Sequence, residues 1–108
     1  MEVRVCQLES LPMGASAHVI EGTPLLLVRS EDALRAVSAI CPHAGASLVD
    51  GFIEEDAVIC PLHGWVFSLK DGSCAVHGYE LNTYGVEVRE DGVFVVLNAD
   101  TGVLPDGR

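Results

Sequence analysis

Short runs of Val, Ile and Leu alternate along the chain with Gly and Pro at close intervals. That punctuation leaves no room for long helices and predicts many short strands. The expected strands are Val3 to Leu8, Ala17 to Ile20, Leu25 to Arg29, Leu34 to Ile40, Val58 to Cys60, Trp65 to Leu69, Gly85 to Arg89 and Val93 to Leu97. The last two form the clearest hairpin: Val86 and Val88 alternate with Glu87 and Arg89, and Asp91-Gly92 supplies turn residues that tolerate positive φ. Glu31 to Val37 has an acidic start compatible with a helix, but it runs into Cys41-Pro42, where a helix would have to stop. We read it as a turn at Glu31-Asp32 followed by a strand. The tail from Asn98 to Arg108 has few apolar residues and is expected to pack loosely at the surface. No repeat and no second domain interrupt the pattern, so the expectation is one all-β domain over residues 1–108.

Composition narrows the partners. Hydrophobic residues make up 49% of the 108, enough for a core, so the high charge does not signal disorder. Sixteen carboxylates against six basic side chains give a net charge of -10. Phosphate backbones and anionic membranes reward cations, which excludes nucleic acid and a membrane surface as expected ligands. The start MEVRVCQLES has no signal-peptide pattern and no apolar run approaches a bilayer span, so a cytoplasmic protein is expected. Thiols in that compartment stay reduced, and the four cysteines gain weight as metal ligands over disulfide partners.

Two clusters carry that chemistry: Cys41-Pro42-His43 and Cys60-Pro61-Leu62-His63, with 16 residues between His43 and Cys60. A proline beside each cysteine restricts the backbone, and Gly45 and Gly64 permit tight loops. Two thiolates and two imidazoles suit zinc or an iron-sulfur cluster. Common zinc fingers pair Cys with Cys and His with His, whereas here each loop carries one of each. A binuclear cluster can use that mixture, with both cysteines on one iron and both histidines on the other.

The spacing Cys-x-His, then Cys-x-x-His, resembles the signature of Rieske-type 2Fe-2S ferredoxins. The likeness extends through Cys41 to Leu48, Gly51, Val58 to Phe67, Gly72 and the Val86 to Val96 hairpin. It implies a Rieske fold: an antiparallel β-sandwich or barrel base with a small cluster-binding subdomain over residues 38–70. It also implies that Cys41 and Cys60 hold the buried iron while His43 and His63 hold the outer one. Replacing two thiolates by neutral imidazoles raises the potential relative to an all-cysteine cluster. Respiratory relatives carry a loop disulfide, for which Leu62 and the neighbourhood of Ala46 supply no cysteines. They also place Ser and Tyr hydroxyls where this chain has Trp65 and Phe67, so a low potential within the Rieske range is expected. A proline-rich cover, frequent in relatives, is replaced by the Ala75 to Glu80 loop with His77.

The implied function is a one-electron carrier between a flavin-dependent reductase and a terminal oxygenase, an electron-transfer component and not an enzyme. The alternative within the resemblance is the small subunit of an assimilatory NAD(P)H nitrite reductase, beside its large subunit. A structural zinc module is the alternative of another class. An autonomous oxygenase would need a separate iron site, for which only His18 and His77 remain. The other residues have plainer readings: Cys6 a small apolar strand residue, Cys74 a turn thiol, His18 a satisfied strand residue, Trp65 a packing plug over the cluster. Glu54-Glu55-Asp56 reads as a solvated hairpin turn, with electrostatic steering as the functional alternative.

Overall fold

The computed structural model describes residues 2–31, 33–42, 45–62, 64–74 and 79–97. The described elements are strands and two short 3-10 turns. The order is β1 (Glu2–Cys6), η1 (Leu8–Ser10), β2 (Gly14–Ile20), β3 (Thr23–Arg29), β4 (Leu34–Ser38), η2 (Leu48–Asp50), β5 (Phe52–Glu54), β6 (Ala57–Ile59), β7 (Val66–Ser68), β8 (Thr83–Arg89) and β9 (Gly92–Val96). They form a six-stranded sheet ordered β1-β9-β8-β4-β3-β2 and a three-stranded sheet ordered β5-β6-β7. Every ladder is antiparallel. The all-β expectation holds, and among the described residues no helix is long and apolar enough to cross a membrane.

The large sheet is curled. Leu11, Ile20, Leu25, Leu27, Ala36, Val93 and Val95 meet in one buried cluster, with Val3, Val5, Cys6, Tyr84 and Val86 packed against it. All six strands thus contribute to one interior, which a flat sheet could not achieve. β8 turns the corner: Thr83 and Tyr84 pair with β4, whereas Gly85 to Arg89 pair with β9. Arg29 ties the open side, its Nη1 donating to the carbonyls of Leu8 and Leu11 at 2.9 Å each.

The small sheet covers one face of β3 and β4. Val58 and Phe67 point inward and join Leu26, Val28, Val37, Leu48, Leu69 and Leu81 in a second core. Gly51 sits where η2 meets β6, and a Cβ there would overlap the Ile59 carbonyl oxygen and crowd that of Leu48. A bidentate ion pair fastens the outer end. Arg35 on β4 donates from Nε to Asp56 Oδ1 at 3.2 Å and from Nη2 to Oδ2 at 2.9 Å. The Asp56 carbonyl also accepts from Leu69 N–H at 2.8 Å.

Several expectations change in detail. The first strand ends at Cys6, and Leu8 lies in a 3-10 turn. A bulge between Arg4 and Cys6 brings Cys6 to the same interior as Val3 and Val5, which simple alternation would have denied it. β5 is an additional strand, too short at three residues to show periodicity. The turn between β5 and β6 lies at Glu55-Asp56 as expected, with Glu55 at φ 54°, but Asp56 is engaged by Arg35 and is not simply solvated. Leu34 does begin a strand, while Asp32 and the tail 98–108 lie outside the described residues.

Two outcomes test this packing. Gly51→Ala, which has nowhere to place its methyl group, should cost about 2 kcal/mol or more in urea unfolding. A double-mutant cycle on Arg35 and Asp56 should return a coupling near 1 kcal/mol, because the pair is bidentate yet about a third exposed, and salt should weaken it.

Candidate metal centre

Cys41 and Cys60 are each only 1% exposed and lie in the same core, beside Leu48, Val58 and Phe67. The backbone brings them there by the same device twice. Ile40, immediately before Cys41, bridges Ser47, six residues after it; Ile59, immediately before Cys60, pairs with Val66, again six residues after. Cys41 N–H donates to Ala46 O at 2.9 Å, and Cys60 N–H donates to Trp65 O at 2.8 Å. Gly45 N–H closes onto Cys41 O at 2.8 Å, and Gly64 N–H onto Cys60 O at 3.0 Å. The two glycines have φ of 71° and 73°, a left-handed conformation that strains other L-residues.

This correspondence has a sequence signal: Ile-Cys-Pro-x-x-Gly occurs at Ile40 to Gly45 and again at Ile59 to Gly64. The absence of repeats expected from the sequence therefore holds for long repeats only, since this six-residue unit occurs twice. The histidine shifts by one place, third after Ile40 at His43 and fourth after Ile59 at His63. His43 and His63 lie outside the described residues, as does His77 with most of the loop from Ala75.

The donor set fits a thiophilic metal group. Two thiols share one apolar core on rigid turns, and none of the four cysteines is in a disulfide. Neither Cys41 nor Cys60 is tied up in a disulfide, and a metal binds such side chains as thiolates. Among the described residues no three or more His, Cys, Asp and Glu side chains are gathered in a metal-holding group, so the described part of the site is the cysteine pair. Trp65 packs against the same core and meets Tyr79 edge-on, with ring centroids 5.1 Å apart and planes at 64°, as expected of a packing aromatic. Phe67 is fully buried and brings no hydroxyl toward the pair.

The remaining candidates sit elsewhere. Cys74 bridges Phe67 through the backbone and packs at the edge of the cysteine core. Cys6 belongs to the other core. His18 is half-buried on β2, 2.9 Å from Ser16 Oγ, and burial holds its pKa below the ordinary imidazole value. Asp71 is pulled below the usual carboxylate range by the Ser73 backbone N–H and hydroxyl.

Comparison with known proteins gives the family. The Rieske [2Fe-2S] domain family matches residues 1–84, a span holding both cysteine loops. The 3-phenylpropionate/cinnamic acid dioxygenase ferredoxin subunit of Photorhabdus laumondii is 33% identical over 100 residues, covering 89% of this chain and 94% of that protein. In a solved complex of reduced oxygenase and oxidized ferredoxin in carbazole 1,9a-dioxygenase, a matching chain is 30% identical with a TM-score of 0.76, covering 87% of this chain and 100% of that one. A putative nitrite reductase NADPH small subunit of known structure is 28% identical with a TM-score of 0.80, covering 90% of this chain and 99% of that one. With a curled β base, a small sheet and two matched cysteine turns, this chain belongs to the Rieske [2Fe-2S] domain family.

Proposed function

We propose that the protein is a ferredoxin component of a multicomponent oxygenase, carrying single electrons from a flavin-dependent reductase to a terminal oxygenase. The observation that carries this reading is the pair of buried thiols on matched turns, in a chain whose relatives over nearly their whole length are dioxygenase ferredoxin subunits. Family membership implies a 2Fe-2S cluster. We assign one cluster per chain to Cys41, His43, Cys60 and His63, held by a subdomain over about residues 38–70 of a single domain. When bound, the cluster supplies a one-electron redox couple.

The chain's own residues define the environment. Leu48, Val58 and Phe67 exclude water from the two thiols, and Gly45 and Gly64 let each loop turn tightly just after its cysteine. Pro42, Pro61 and Leu62 are exposed, which leaves the loop tips accessible to a partner. The likeness to a nitrite reductase small subunit supports a second reading, in which the same chain is a permanent subunit beside a large catalytic chain. Co-purification separates them: a carrier isolates alone and turns over with added reductase and oxygenase, whereas a subunit brings a large sirohaem protein with it.

The ligand assignment predicts a rhombic EPR signal after dithionite reduction, with about two iron and two acid-labile sulfide per chain. His43→Ala or His63→Ala should abolish that signal while far-ultraviolet circular dichroism still reports the strands; a signal like wild type in either variant overturns the assignment. Without hydroxyls at Trp65 and Phe67, the midpoint potential should fall toward the lower, about -150 mV, end of the Rieske range in a redox titration. Anaerobic removal of iron should lower Tm by at least about 5 °C, because binding at the cysteine core stabilises the folded chain alone.

A further inference from the structure

The small sheet buries one face and leaves the other open. Phe52, Ile59 and Val66 are direct cross-strand neighbours on β5, β6 and β7, so their side chains form one row. Alternation turns that row away from buried Val58 and Phe67. Phe52 is 67% exposed and Val66 44%, and Leu62, at 60%, stands in the adjoining loop. Exposed large apolar side chains grouped in this way signal an interaction site more than scattered ones do. The row ends at the second cysteine turn, since Ile59 precedes Cys60 and Val66 follows Trp65.

Charge states what kind of surface fits it. Exposed Asp50 and Glu55 flank β5 in the chain, and exposed Glu54 shares the row's outer face, across from Ala57 and Ser68. A shallow groove continues over Glu54, Ala57, Val66 and Ser68 toward Lys70, the chain's only lysine, whose neighbour Asp71 is itself anionic. A chain of net charge -10 presenting an apolar strip between carboxylates would repel a second copy of itself and an anionic membrane. It complements an apolar patch ringed by Arg and Lys.

We propose that the outer face of the β5-β6-β7 sheet is a docking surface for a redox-partner protein whose contact patch is apolar and rimmed by basic side chains. The inference rests on the carrier reading and adds to it a face lateral to the loop tips. Phe52 and Val66 supply the desolvated centre, and Asp50, Glu54 and Glu55 the steering rim. Docking there seats the partner beside the Cys60 turn and keeps contact small enough for rapid release.

The test uses the holoprotein and cytochrome c, whose haem edge is ringed by lysines, as the probe. One electron leaves the dithionite-reduced protein and ferric haem takes it up, followed by stopped flow from low to moderate ionic strength. Ferricyanide, a small acceptor needing no docking face, serves as the control, and calorimetry measures cytochrome c binding without any electron transfer. Phe52→Ser should slow cytochrome c reduction about tenfold and weaken binding in parallel, with EPR signal and ferricyanide rate unchanged. Glu54→Lys should slow it several-fold and flatten its salt dependence. Wild-type rates and binding in both variants overturn the proposal, as does equal slowing toward ferricyanide. Sedimentation showing a dimer that Phe52→Ser dissolves also overturns it, by making a second copy the occupant. A wild-type protein that binds cytochrome c with this dependence but passes it no electron defeats the carrier reading and leaves the docking face standing.

Discussion

Strand β3 is buried on both faces, and the rest of the structure is arranged around that constraint. Leu25 and Leu27 enter the interior of the curled sheet, while Leu26 and Val28 enter the core that holds the two cysteines. Because side chains alternate strictly along a strand, a slip of one residue in the pairing with β2 or β4 would exchange the two sets. Each core would then receive side chains shaped for the other. The register Leu25↔Ser38 to Arg29↔Leu34 therefore sets the base and the cysteine core together, and the small sheet has a single apolar floor on which to settle. Of order 100 Å² or more of apolar surface per buried Leu, at about 25 cal/mol per Å², makes this strand a leading contributor to folding.

The cysteine loops then add little chain for what they position. Each is a tight hairpin whose backbone polar groups near the cysteine are satisfied by the loop itself: the cysteine N–H by a carbonyl five residues on, its carbonyl by a glycine N–H four residues on. With those groups paired internally, both thiols can sit in an apolar core without orphaned peptide groups around them. The core thus buries both thiols while Pro42, Gly45, Pro61, Leu62 and Gly64 of the same loops stay exposed. Burial of one end and exposure of the other is what an electron carrier needs, since the redox centre must be shielded from water yet reachable by a partner.

Much of this was legible in the chain. β8 shows because Tyr84 and Val86 are half-buried while Glu87 and Arg89 are solvated, so Val and charged residues alternate; β9 shows as the apolar run Val93 to Val96, and β3 as the uninterrupted run Leu25 to Val28. The cysteines were legible through Pro and Gly at fixed offsets, which carry backbone information that Cys alone does not. What stayed hidden has a common cause, dependence on residues far away in sequence. β5 exists because β6 pairs with it, and its three residues carry no periodicity of their own. The Arg4–Cys6 bulge is set by β9, and Asp56 is drawn out of solvent by Arg35 on another sheet. The His43 and His63 assignments rest on spacing and family, and the structure describes the turns on either side of them.

Asp56 and Glu54 lie two residues apart in one acidic turn and do opposite things. Asp56 is turned back to the base, where Arg35 and the Leu69 N–H to its carbonyl hold the hairpin against β4 and β7. Glu54 is left on the outer face beside the Phe52–Ile59–Val66 row. The division follows from position: Glu55 takes the left-handed turn, which sends the chain on either side of it in different directions. Neutralising the turn as a block would therefore mix a loss of stability with a loss of steering. Only the single substitutions separate them, because removing the Asp56 carboxylate acts through unfolding equilibria and removing that of Glu54 acts on encounter with a charged partner.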